Sequence, residues 1–156
     1  MLMKPYTRTG DKGETSLFAQ RVKKTDNRIA CIGSIDETAA AISVARTELE
    51  DIEMTEILLK IERTLSKIAG IIAGSTDTLQ EDDVKRIEEW TDKYYIEKQG
   101  FERPKTEAGA LLDLARTICR RAEISTIKTE AQETILKYMN RLSDLLFAMR
   151  TFCDEK

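Results

Sequence analysis

I-L-K-Y-M-N-R-L-S-D-L-L-F-A-M-R-T-F-C, the stretch from Ile135 to Cys153, repeats its apolar residues at helical spacing. At about 100° per residue, Ile135, Met139, Leu142, Leu146, Met149 and Cys153 fall on one face, while Asn140 and Asp144 lie opposite, flanked by Ser143 and Phe147. The preceding segment is built the same way. There Leu111, Ala115, Ile118 and Ala122 share one stripe, and Asp113, Arg116, Arg120 and Glu123 form another on nearly the opposite side. Two neighbouring helices that each offer one apolar side predict a helical bundle.

The same periodicity, followed along the chain, predicts five helices. The first spans about Asn27–Glu48 with Asp26 as its N-cap, and the second about Thr55–Ala73. The third starts near Thr78, where Thr78 and Glu81 have capping-box spacing, and ends before Gly100. The fourth follows Pro104, from about Thr106 to Thr126. The fifth begins at Thr129, with Gln132 completing a second box, and continues to about Cys153. Residues 1–24 show no periodicity. The reading is therefore one all-α domain over residues 1–156: an N-terminal loop of residues 1–24, then a five-helix up-and-down bundle over residues 27–153.

Composition agrees. A chain of 156 residues with 41% apolar content can bury a substantial core without disulfides or a structural metal. Its 34% charged residues and net charge of -3 suit solvated helix faces and give no reason to expect nucleic acid. Histidine is absent, which excludes Ser-His-Asp and Cys-His catalysis and any histidine-ligated metal site. Cys31, Cys119 and Cys153 have no metal-ligand spacing and cannot all pair, as expected of a reduced, cytoplasmic protein. No stretch approaches a membrane span, and the first residues lack the apolar run of a signal peptide.

The loop carries its own chemistry. Thr7-Arg8-Thr9-Gly10-Asp11-Lys12-Gly13-Glu14-Thr15-Ser16-Leu17 supplies two glycines for close backbone approach and four hydroxyls. Arg8, Lys12 and Lys24 add positive charge. These are the materials of a triphosphate cradle, although no Walker A pattern is present. An ordinary arm of turn residues has the same composition. In Ala115-Arg116-Thr117-Ile118-Cys119-Arg120-Arg121-Ala122-Glu123, Arg120 can grip a phosphate that Glu123 helps to hold. It can equally form a plain i, i+3 ion pair. Asn140, taken alone, reads as an exposed helix residue.

In combination, the four strings T-R-T-G-D-K-G-x-T-S-L, G-S-I-D-E, A-R-T-I-C-R-R-A-E and Y-M-N-R-L-S-D-L-L-F resemble the PduO-type ATP:cob(I)alamin adenosyltransferase family. Order and spacing agree from Tyr6 to about Arg150. The resemblance implies transfer of the 5′-adenosyl group of ATP to the cobalt of cob(I)alamin, giving adenosylcobalamin and triphosphate. It implies Mg2+ carried on the ATP phosphates and a homotrimer with active sites between subunits. A reductase and a cobalamin-dependent enzyme are further partners it suggests. Carried over by position, ATP would be bound by Thr7, Arg8, Thr9, Gly10, Thr15, Ser16, Lys24, Arg120, Arg121, Glu123 and Asn140. Arg116 would pair with Asp36 of a neighbouring subunit. Phe101 would lie against the corrin, keep a lower ligand off the cobalt, and join Arg120 and Glu123 as a catalytic residue.

The chain departs from the pattern twice. Ile124 stands where the family usually follows R-R-A-E with another Arg, so one phosphate contact is missing or comes from a lysine. Phe101-Glu102-Arg103-Pro104-Lys105-Thr106 replaces F-x-x-P-G-G-S and is about a residue shorter. That change keeps open an ATP-binding regulatory protein of the same fold. A helical interaction module with charged partner surfaces is the other alternative.

Overall fold

The structure is a computed structural model that describes residues 6–98 and 100–156; the first five residues of the N-terminal arm and position 99 lie outside it. Among the described residues there are five α-helices and one two-stranded hairpin. Helix α1 is Asn27–Thr47, α2 Ile52–Ala73, α3 Glu81–Tyr94, α4 Glu107–Ile127 and α5 Glu133–Glu155. Helix α1 packs on α2 and on α4, while α5 packs on α4 and on α3. Short turns join α1 to α2 and α4 to α5, as antiparallel neighbours require. The core between them holds Ile35, Ile42, Leu58, Ile61, Leu65, Ile68, Leu112 and Met139, all essentially inaccessible to solvent.

Local chemistry explains most of the boundaries. Asp26 caps α1 as expected, accepting the Arg28 amide at 2.9 Å. Helix α2 starts three residues earlier than its periodicity suggests because Asp51 accepts the Met54 amide at 3.0 Å. It ends at Gly74, whose φ of 113° closes the last turn onto Gly70 and Ile71. Thr106 caps α4 through the Gly109 amide.

Both expected capping boxes are corrected. The Gln80 amide, not that of Thr78, donates to Asp83 at 3.0 Å, so Thr78–Glu81 is not the box and α3 starts at Glu81. Thr129 donates its hydroxyl back to Thr126 and Glu130 adopts φ +55°, so the chain turns there and α5 begins only at Glu133. Helix α3 ends at Tyr94, where the backbone turns extended at Tyr95 (ψ 129°), and the Tyr94 ring packs edge-on against Phe152 at 5.1 Å. Beyond it, Lys98 pairs with Glu102 and Glu155.

Two further readings change. The buried stripe of α4 is Gly109, Leu112, Ala115, Cys119, Ala122 and Thr126, with Leu111 and Ile118 only half-buried beside it. On α5, Ser143 is buried instead of flanking a free side. The N-terminal arm folds as well: Glu14–Leu17 and Gln20–Lys23 pair antiparallel, with Glu14 opposite Lys23 and Leu17 opposite Gln20.

Candidate functional site

Helices α4 and α5 present their motif residues to one another. Glu123 on α4 is largely buried; one of its carboxylate oxygens accepts the Asn140 side-chain amide from α5 at 3.1 Å. The other lies 3.3 Å from Arg120, whose side chain is more than half exposed. One guanidinium nitrogen and one amide thus meet on a single carboxylate, which fixes Arg120 and Asn140 relative to each other. Arg141, the next residue, reaches Glu88 on α3 and so secures the same turn from its other side. Arg121 points away from the cluster and pairs with Glu37 of α1 at 2.7 Å.

Arg120 also lines a cleft of about 580 Å³ together with Thr91, Tyr95, Phe101, Arg116, Asp144 and Phe147. Phe101 is 59% exposed there. Its ring stacks on Phe147 at 6.2 Å with an interplanar angle of 19°. The guanidinium groups of Arg116 and Arg150 lie over it at 5.8 and 5.3 Å. The cleft therefore offers an accessible aromatic face and cationic edges, which suits a large, flat, partly anionic ligand set. Another cleft of about 550 Å³, between the α1–α2 turn and the end of α5, contains none of the sequence-derived site residues. The Phe101 cleft is the functional candidate because the motif residues converge on it.

The arm places its phosphate-binding materials together. Gly10 accepts the Gly13 amide at 3.2 Å, and Gly13 takes φ +80°, a conformation that favours glycine. The hairpin returns Lys24 so that its ammonium lies 3.1 Å from where a side chain on Gly10 would begin. Thr7 and Thr9 share a hydrogen bond at 2.8 Å, and Arg8 lies over Tyr6 with φ +60°. Thr15 and Ser16 sit in the first strand opposite Val22 and Arg21. Among the described residues, no hydrogen bond or ion pair joins Thr7, Arg8, Thr9, Gly10, Thr15, Ser16 or Lys24 to Arg120, Glu123 or Asn140.

Arg116 bonds to Asp113 of its own helix at 2.9 Å. Asp36 is exposed on α1, and among the described residues no ion pair involves it. Ile124 is exposed too, as are Leu114 and Ile127 on α4 and Val44 on α1. Cys119, inside the R-T-I-C-R-R string, is a core residue. Burial, and to a lesser degree Glu123, pushes its thiol up to about 12.

Two residues that the motifs did not single out bear on the cleft. Arg150 is buried yet charged, and it donates to the Glu102 carbonyl beside Phe101. Asp154 accepts from the Lys105 amide and from both the amide and the hydroxyl of Thr106. A sequence signal existed for the first. Arg150 comes eleven residues after Met139 and falls within about 20° of the same stripe, a charge on the core face.

The chain is similar to known proteins along nearly its whole length. The family model for cobalamin adenosyltransferase matches residues 5–153. A corrinoid adenosyltransferase of Bacillus subtilis is 37% identical over 94% of this chain and 84% of its own length. One from Mycobacterium leprae is 36% identical over 95% of this chain and 90% of its own. Among solved structures, a variant PduO-type ATP:corrinoid adenosyltransferase from Lactobacillus reuteri, complexed with cobalamin and ATP, superposes with a TM-score of 0.89 at 28% identity. That match covers 97% of this chain and 91% of the other.

Proposed function

The chain belongs to the cobalamin adenosyltransferase family, and from that premise we propose how its own residues carry the reaction. The protein is an enzyme that moves the 5′-adenosyl group of ATP to the cobalt of cob(I)alamin. The observation that carries the reading is that Arg120, tied through Glu123 to Asn140, lines the same cleft as Phe101. A triphosphate grip and an aromatic floor for a corrin thus lie side by side.

The cobalt of cob(I)alamin attacks C5′ of ATP. Its electron pair forms the cobalt–carbon bond, the C5′–O bond breaks, and triphosphate departs with that bond's pair. Cobalt is formally oxidised by two electrons, and no proton needs to move. The protein therefore needs no catalytic base, in accord with a chain without histidine. Its work is to align C5′ with cobalt and to stabilise the charge on the departing triphosphate. Arg120 contacts the phosphates, and Glu123 and Asn140 hold it and the nucleotide in place. Thr7, Arg8, Thr9, Gly10, Thr15, Ser16 and Lys24 complete the cradle, with the hairpin arm closing onto the triphosphate, and Arg121 joins it by exchanging Glu37 for a phosphate oxygen. Magnesium comes with the nucleotide, held by phosphate oxygens as a hard cation prefers. Among the described residues no group of three or more Cys, Asp or Glu side chains gathers to hold a metal.

Phe101 lies against the lower face of the corrin, where an apolar ring cannot coordinate cobalt. Cobalt(II) without a lower ligand accepts an electron more readily, so the ring assists formation of the nucleophile by an external reductase. The active form is a homotrimer. Arg116 meets Asp36 of a neighbouring subunit, and the exposed Val44, Leu114, Ile124 and Ile127 become buried between subunits. Among the described residues no helix is long and apolar enough to cross a membrane. The free thiols of Cys31, Cys119 and Cys153 suit a cytoplasmic setting.

Product identity tests the reading. Under anaerobic conditions, ATP and chemically reduced cobalamin should yield adenosylcobalamin with one triphosphate released per turnover. Intact ATP binding without corrinoid-dependent turnover would instead mark a regulatory protein of the same fold.

A further inference from the structure

We infer that Arg150 and Asp154 are positioning residues that set the Phe101 ring against the corrin by clamping both ends of the loop 101–106 to the last turns of α5. The inference rests on the role given to Phe101 above.

The two side chains are each only 3% exposed, and Arg150 Nε approaches Asp154 Oδ2 at 3.6 Å. That approach is electrostatic, since Nε makes no hydrogen bond. The remaining bonds all point at the loop. Arg150 Nη2 donates to the carbonyl of Glu102, the residue after Phe101, and the guanidinium lies 5.3 Å from the Phe101 ring and 5.7 Å from Phe147. At the other end, Asp154 Oδ1 accepts the Lys105 amide at 3.0 Å, the Thr106 amide at 3.0 Å and the Thr106 hydroxyl at 2.9 Å. One ion pair therefore holds both ends of a loop whose middle is stiffened by Pro104. The polarity is also favourable, since Asp154 sits at the N-terminus of α4.

Gly109 shows how tightly the clamp is built. A β-carbon there would meet Asp154 Oδ1 at 2.3 Å and the Thr106 hydroxyl at 2.8 Å. Asp154 cannot swing aside freely, because its Oδ1 already serves three donors. Alanine is the better helix former at an α4 position, yet here it would push the clamp open. The Phe101 ring itself is mostly exposed, so no core burial fixes its place. The loop backbone, the Phe147 stack and the two overlying guanidiniums do.

The experiment compares Arg150→Met, Arg150→Lys, Asp154→Asn, Gly109→Ala and Phe101→Ala with the wild type. The readouts are the spectrum of cob(II)alamin bound with ATP, turnover from cob(II)alamin with a reductant, turnover from pre-reduced cob(I)alamin, and ATP affinity. The wild type should show a four-coordinate population that Arg150→Met, Asp154→Asn and Gly109→Ala lose while ATP affinity holds. Turnover from cob(II)alamin should fall, by up to about a hundredfold for a ring displaced by about 1 Å, and pre-reduced substrate should recover most of it. Arg150→Lys keeps the charge without the planar fork and should rescue only partly. ATP affinity reports folding, and if Arg150→Met fails to fold, Gly109→Ala decides. Loss of the four-coordinate population in Phe101→Ala but not in the clamp variants overturns the clamp alone. Retention of it in Phe101→Ala overturns the role of the ring, and the clamp's role falls with it.

Discussion

Asn140 of α5 donates its side-chain amide to Glu123 of α4 at 3.1 Å, and the same carboxylate holds Arg120 at 3.3 Å. Two helices that meet mostly through apolar core are joined here by a polar bridge whose Arg120 end lines the cleft of Phe101. An exposed i, i+3 ion pair by itself contributes only a few tenths of a kcal/mol. The bridge is better understood as a device that aims a guanidinium than as a source of stability.

Arg120→Ala should therefore weaken productive ATP use far more than Lys85→Ala, though each removes one positive charge. Lys85 is exposed on α3, outside every motif. A phosphate contact from a partly desolvated side chain contributes about 1.5–3 kcal/mol, against nearly nothing for an isolated surface charge. Steady-state kcat/KM for ATP measures the difference. Equal losses would show that this helix does not face the nucleotide.

On the proposed trimer, Arg116→Ala and Asp36→Ala should each favour the monomer and lower activity together. Arg116 keeps its bond to Asp113 within one chain, so its loss alone removes that local pair as well. The charge swap of both positions should restore part of the assembly. Light scattering across protein concentration reads it directly. A stable, active trimer in both single variants would place the interface elsewhere.

Asp51→Ala should destabilise the fold by about 1 kcal/mol at neutral pH, the usual effect of losing an N-cap. Asp51 accepts the Met54 amide and pairs with Lys156 at 2.9 Å; the backbone bond first, then Lys156, lowers its carboxyl below the ordinary 3.8. A depressed folded pKa means this stabilisation is complete above that ordinary value and is lost as pH falls through the folded one. Urea titrations should show the gap between wild type and variant near pH 7 closing below about pH 4. A gap independent of pH would contradict the assignment.

Alkylation at pH 8 should leave Cys119 unmodified in the native protein and label it readily in denaturant. Burial raises its thiol to about 12, and burial likewise raises Cys153 to about 11. Almost no thiolate exists at either site under those conditions. Mass spectrometry of the labelled protein gives the answer, and fast native labelling of Cys119 would show that α4 opens locally.

The bundle was legible because long amphipathic periods state both helix and buried face. Asp26 and Thr106 mark their helix starts in the sequence as they do in the structure. On α4 the expected stripe is right at Ala115 and Ala122 and one residue off at its two large members: Leu111 and Ile118 outweigh Cys119 in apolar character, yet Leu112 and Cys119 are the buried ones. The arm's hairpin was not legible, since its four-residue strands bury only Leu17 and hold too few apolar residues for an alternation to stand out in the sequence. Thr129 and Gln132 have a capping box's spacing, but the Thr129 hydroxyl is already committed to Thr126. Asp154 could not be read at all. Its partners lie 48 and 49 positions away in a loop, and only the packing of α5 brings them together.

A structure of this chain with ATP and cobalamin tests the central claim most directly. The triphosphate should lie within hydrogen-bonding distance of Arg120 and of the Thr7–Gly10 arm, and the corrin over Phe101 with no ligand on its lower face. A triphosphate remote from Arg120, or a corrin bound away from the Phe101 cleft, would contradict it.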